Sequence, residues 1–207
     1  MQGMANYARF GKKSAFTDIL SEKELLSIKP AELTDIIKSI NQFYHRIFYY
    51  GSQPREMVLG LMNIVHITPK TLNEYPPATV YKEQEMTENK VYCINYEMVQ
   101  TELLMESKGS KFNKDLLPSS NIFNEYFGAG LSSIVFQEIR EAKALAYTAY
   151  ASFGTPKDTA HSHYVRAYIG TQSDKLPDAI PAMLELMTDM PQSETQFEQA
   201  KLSALKK

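Results

Sequence analysis

The 207-residue chain contains no tryptophan and a single cysteine, Cys93. One thiol excludes an intrachain disulfide and any cysteine-based zinc cluster, and its place in the apolar run VYCINY reads as a small hydrophobe rather than a nucleophile. Basic charge is not in excess either: 22 Lys and Arg stand against 24 Asp and Glu, a net charge of −2, and the lysines are scattered. Nucleic acid or an anionic membrane surface would find no basic face here. No run of eighteen apolar residues exists to span a bilayer, and the opening MQGMANYARFGKK lacks the apolar centre of a signal peptide. A soluble chain with no membrane partner is expected, and its compartment stays unassigned.

Familiar catalytic motifs are missing as well. There is no G-x-S-x-G elbow, and GAG at 128–130 falls far short of a phosphate-binding loop. A zinc-peptidase helix needs two histidines one turn apart with a glutamate beside them, so that both imidazoles reach one ion while the carboxylate activates its water. None of the four histidines meets this requirement. His45 and His66 have no partner at the required offset and read as structural or surface groups. His161 and His163 form an H-x-H pair, read as a solvated loop pair in preference to a metal-holding strand edge. No metal or cofactor is therefore expected in this chain.

What remains is an ordinary globular composition, 43% hydrophobic and 22% charged. Ser21 with Glu24 makes a capping box, and Pro30 opens a helix over 30–42 in which Leu33, Ile36, Ile37 and Ile40 recur at helical spacing. RIFYYG at 46–51 reads as a buried strand. Three prolines within 69–90 mark a connection. The expected organisation is residues 1–52 as closing helices and strand of one unit, 53–90 as a linker, and 91–207 as a second, truncated unit whose helical pattern is still running at Lys207. In that second unit a strand is expected within 91–106, followed by helices over 119–127 and after Ser133. Strands at 145–153 and 163–171 should pair as a hairpin. A helix with the stripe Leu176 to Met190 should be regular beyond Pro177 and Pro181, and a last helix starts behind a Ser193/Gln196 capping box. Antiparallel strands separated by helix pairs predict an α+β fold of two layers, a largely antiparallel sheet with helices packed on one face.

One stretch carries a candidate site. FQEIREAKALAY (136–147) is an amphipathic helix running without Gly or Pro into a strand, and it places Arg140 seven residues before Tyr147. Glu138, Arg140, Glu141 and Lys143 read as a solvated helix end on one view. On the other, a guanidinium fork and a phenol converge as donors on a carbonyl oxygen that gains charge.

Read whole, NEYFGAGLSSIVFQEIREAKALAYTAYASF (124–153) resembles the signature of the C-terminal half of insulinase/pitrilysin-family zinc metallopeptidases, S-S-R-L-F-Q-x-I-R-E-K-x-G-L-A-Y between a helix and a strand. The chain departs from it at Ile134, where many relatives have Arg, and at Ala144, where many have Gly. The resemblance implies repeated α+β units in two halves that close like a clamshell around an unfolded peptide, with H-x-x-E-H and zinc in the N-terminal half of the parent protein. It implies no catalytic residue in this chain alone, and Arg140 and Tyr147 as substrate-binding residues, Arg140 on peptide carbonyls and Tyr147 on the attacked carbonyl. Peptide would add as a strand to a sheet edge. The implied partners are a peptide substrate and the zinc-bearing half, on the same polypeptide or on another chain. The expected function is thus a non-catalytic module that binds and orients peptide. The alternative is a structural or assembly module of the same fold, as in degenerate members that act as scaffolds in respiratory complexes.

Overall fold

Three strands, β1 (Thr101–Lys111), β2 (Thr148–Gly154) and β3 (Ser162–Thr171), form an antiparallel sheet in the order β1-β3-β2. This sheet belongs to a computed structural model that describes residues 1–128 and 130–206. β2 and β3 make the expected hairpin, with Ala149 opposite Ile169 and Ala151 opposite Ala167. On the other side of β3, Leu103 meets Ile169 and Met105 meets Ala167. Because side chains alternate along a strand, these residues share one face.

Helices α5 (Leu117–Phe123), α6 (Leu176–Thr188) and α7 (Glu194–Leu205) cover that face together with two π-helical segments, Asn124–Gly128 and Phe136–Ala142. They bring Phe127, Val135, Ile139, Met183 and Leu186 into one core with the strand residues. Each side chain of this size, fully buried, contributes about 1.5–3 kcal/mol. The architecture is the two-layer α+β arrangement anticipated from the sequence.

The opposite face carries Glu106 and Tyr164 and meets α1 (Gln2–Phe10). Arg9 forks onto Glu106, its Nε donating at 2.8 Å and its Nη2 reaching the second oxygen, while Arg166 Nε donates to the same carboxylate at 2.8 Å. A carboxylate this deeply buried needs such partners to offset its lost hydration. The Arg9 guanidinium also lies 4.0 Å over the Tyr164 ring. Burial, then the nearby Glu83 carboxylate, push the Tyr164 phenol up to about 12 against the opposing effect of Arg9.

These elements form one compact unit, Met1–Lys12 with Glu83–Lys207; Lys13–Lys82 form another. The latter holds α2 (Glu22–Ser27), α3 (Pro30–Ser39), which tightens into a 3₁₀ turn over Ile40–Gln42, and α4 (Arg55–Val65). The Ser21 capping box forms in both directions: Glu24 N–H donates to Ser21 Oγ at 3.3 Å and Ser21 N–H to Glu24 Oε2 at 2.8 Å. The apolar stripe of α3 stays exposed, Ile37 by 68%.

Several local expectations are corrected. Residues 46–51 are irregular, with Phe48 87% exposed, because β-propensity without a pairing strand does not make a strand. The strand expected within 91–106 begins only at Thr101, which pairs with Thr171, the last residue of β3, so the chain before it has run past its partner. The stretch 53–90 contains α4, a helix its prolines do not interrupt. Pro177 sits in the first turn of α6 and Pro181 inside it, so that helix starts earlier than its prolines suggest.

Candidate functional site

The π-helical segment Phe136–Ala142 starts behind Ser133, whose Oγ accepts the Phe136 N–H at 3.3 Å. Ile139 is fully buried, and its neighbour Arg140 consequently leaves on the solvent side. The Arg140 guanidinium lies 4.8 Å over the Phe136 ring, and Nε is 3.7 Å from Glu141 Oε1. Ile134, at the position where Arg is usual in the resembling signature, is buried in the core.

The segment ends without glycine. Lys143 N–H donates to Glu138 O at 3.2 Å and Leu145 N–H to Ile139 O at 2.9 Å, while Ala144 takes a φ of 49°. This is the left-handed cap in which a helix normally spends a glycine, and it explains physically why Gly is usual at that position. Three further bonds hold the turn. Lys175 Nζ donates to Ala144 O at 3.0 Å, Thr171 Oγ1 to Leu145 O at 2.6 Å, and Tyr147 N–H to Gly170 O at 2.9 Å.

Tyr147 follows directly, 52% exposed, and its phenol oxygen accepts from Gln172 Nε2 at 2.8 Å. Arg140 and Tyr147 therefore occupy the two arms of one tightly bonded turn, and both are open to solvent rather than sealed in the core. Among the described residues no hydrogen bond joins them to each other. Two planar donors at the rim of a rigid turn can hydrogen-bond carbonyl oxygens. Gln172 and Lys175 escape sequence reasoning because a polar residue after a strand carries no periodic signal.

The edge of β2 is partly occupied. The Asn124 side chain accepts the Phe153 N–H at 2.7 Å and donates to the Phe153 carbonyl at 3.1 Å, as a neighbouring strand would. An added strand could not take those two groups without displacing it.

The histidines divide. His163 is not in a solvated loop: it is fully buried on β3 between the rings of Phe112 and Phe153, Nε2 accepting the Asn113 N–H at 3.1 Å and Nδ1 lying 3.2 Å from Gly154 O. His161 lies beside Phe10, with ring centroids 5.4 Å apart. His45 and His66, distant in sequence, meet with Nε2 atoms 2.6 Å apart. Among the described residues no group of three or more His, Cys, Asp and Glu could hold a metal ion, so the zinc of the resembling family has no ligand set in them. A concavity of about 670 Å³ between α5 and the start of α7, lined by Ile122, Phe123, Tyr126 and Phe197, includes neither Arg140 nor Tyr147.

Residues 28–206 match the family model described as the peptidase M16 inactive domain. Among solved structures, a protease from Helicobacter pylori is similar at a TM-score of 0.66 and 16% identity, over 90% of this chain and 46% of that one. A peptidase M16 inactive domain from Pseudomonas fluorescens gives a TM-score of 0.44 and 17% identity, over 54% of this chain and 27% of that one. The first likeness is one of fold, and the chain spans less than half the length of that protein. No curated protein matches the chain.

Proposed function

Because this chain belongs to the family of the peptidase M16 inactive domain, the non-catalytic module of insulinase-like metallopeptidases, we propose that it binds and orients an extended peptide for hydrolysis at a zinc site carried elsewhere, on the same polypeptide or on a partner chain. Arg140 and Tyr147 are the binding groups. The guanidinium fork takes peptide carbonyls and fixes the register of the chain, and the phenol donates to the carbonyl under attack as its oxygen gains charge. The observation that supports this reading is the cross-braced turn between the two residues, which holds two exposed donors on a rigid support.

The test is Tyr147→Phe in the assembled peptidase. A phenol that stabilises the attacked carbonyl should lower kcat about 10²–10³-fold when removed. Arg140→Ala should act mainly on KM. Full turnover by Tyr147→Phe would instead identify a scaffold of the same fold with no part in proteolysis. The chain alone, mixed with zinc and an unstructured peptide, should show no chelator-sensitive cleavage.

A further inference from the structure

We propose that Gln172 is a positioning residue that fixes the Tyr147 phenol as a hydrogen-bond donor toward substrate, an inference that rests on the reading of Tyr147 given above. A phenol has one hydrogen and can also accept, and an exposed one rotates between the two roles in water. At Tyr147 the choice is made by the neighbour. In the arrangement found, Gln172 Nε2–H donates to the phenol oxygen at 2.8 Å, which leaves the phenol hydrogen to point outward. Accepting that bond also polarises the O–H and makes it a somewhat better donor.

The two residues are held in register by backbone as well as by side chain. Gln172 immediately follows β3, whose Gly170 carbonyl accepts the Tyr147 N–H at 2.9 Å. Thr171, the residue before it, bonds Leu145 O at 2.6 Å. On its other side the Gln172 carbonyl accepts the Lys175 N–H at 3.1 Å, and Lys175 Nζ reaches back to Ala144 O at 3.0 Å. Only the side-chain torsions of Tyr147 and Gln172 are left to set. Both side chains are exposed, so the bond between them organises the rim and adds nothing to the core.

The direction of this bond makes the inference testable. In the assembled peptidase Gln172→Ala should lower kcat about 3–10-fold with little change in KM, the size of one net hydrogen bond. Gln172→Glu, nearly isosteric, should be worse than Gln172→Ala, because a carboxylate accepts the phenol hydrogen and withdraws it from the substrate. In the Tyr147→Phe background neither change should have a further effect, since the bond they alter is already gone. Gln172→Glu matching or exceeding Gln172→Ala in turnover would overturn the proposal, as would losses of equal size in the Tyr147→Phe background, which would mark a general structural effect. A silent Tyr147→Phe sinks both readings. A damaging Tyr147→Phe beside silent Gln172 variants sinks only this one.

Discussion

Gly128 backs onto the carbonyl of Ala151 so closely that a Cβ added to it would stand 2.0 Å from that oxygen. The contact is where the π-helical segment Asn124–Gly128 lands on the backbone of β2, four residues after the Asn124 side chain has bonded Phe153. Helix and strand approach there more nearly than any side chain permits.

Gly128→Ala should therefore destabilise the chain by about 3 kcal/mol or more, because the atom it meets is backbone and cannot rotate away. Urea unfolding measures this as a lower midpoint at an unchanged slope. A loss below 1 kcal/mol would mean that the segment lifts off β2 at little cost.

Ala144→Gly should act in the other direction. With φ at 49°, alanine holds a conformation that glycine adopts freely, and the gain expected is about 0.5–1 kcal/mol. The bonds that close the turn are main-chain at Leu145 and Lys143, so the substitution leaves them in place. Thermal unfolding of the two forms side by side checks the sign.

Glu83 should give the fold part of its acid sensitivity. Burial pushes its carboxyl up, but the Ser162 N–H at 2.8 Å, the Ser162 Oγ at 2.7 Å and Lys111 at 3.3 Å outweigh this and hold it below its ordinary value of 4.5. A carboxyl depressed in the fold contributes stability that is complete above its unfolded value and is lost as pH falls through the folded one. Stability should therefore decline below about pH 4.5. Glu83→Gln should cost about 1–3 kcal/mol at neutral pH and flatten that decline. Denaturant titrations at several pH values separate the two effects; an acid limb of unchanged slope would exclude Glu83 as its source.

Features carried by short-range chemistry were legible beforehand. The Ser21/Glu24 box, the helix opened by Pro30 and the hairpin of β2 with β3 each depend on residues near one another in the chain. The Ser193 box was legible only by half. Gln196 N–H does reach Ser193 Oγ at 3.4 Å, but the Gln196 side chain donates instead to Ser132 O at 3.2 Å, a partner that the sequence places 64 residues away.

Within the candidate site, Arg140 and Tyr147 stand out from the string through a family-like signature, whereas Gln172, Lys175 and Asn124 have no signal of their own. Their roles arise from contacts between distant segments. The same holds for His163, which looks like one member of a loop pair until Phe112 and Phe153 close over it.

By itself, then, the amino-acid string determined the starts of the helices behind Ser21 and at Pro30 and the β2–β3 pairing, because caps, periodicity and turn chemistry act over a few residues. The fold alone decided that 46–51 would find no strand to pair with, that β1 would begin at Thr101, and that the Tyr147 oxygen would accept from Gln172. Hydrogen bonds between remote segments form only where packing brings the groups within about 3 Å, and no local pattern encodes that distance.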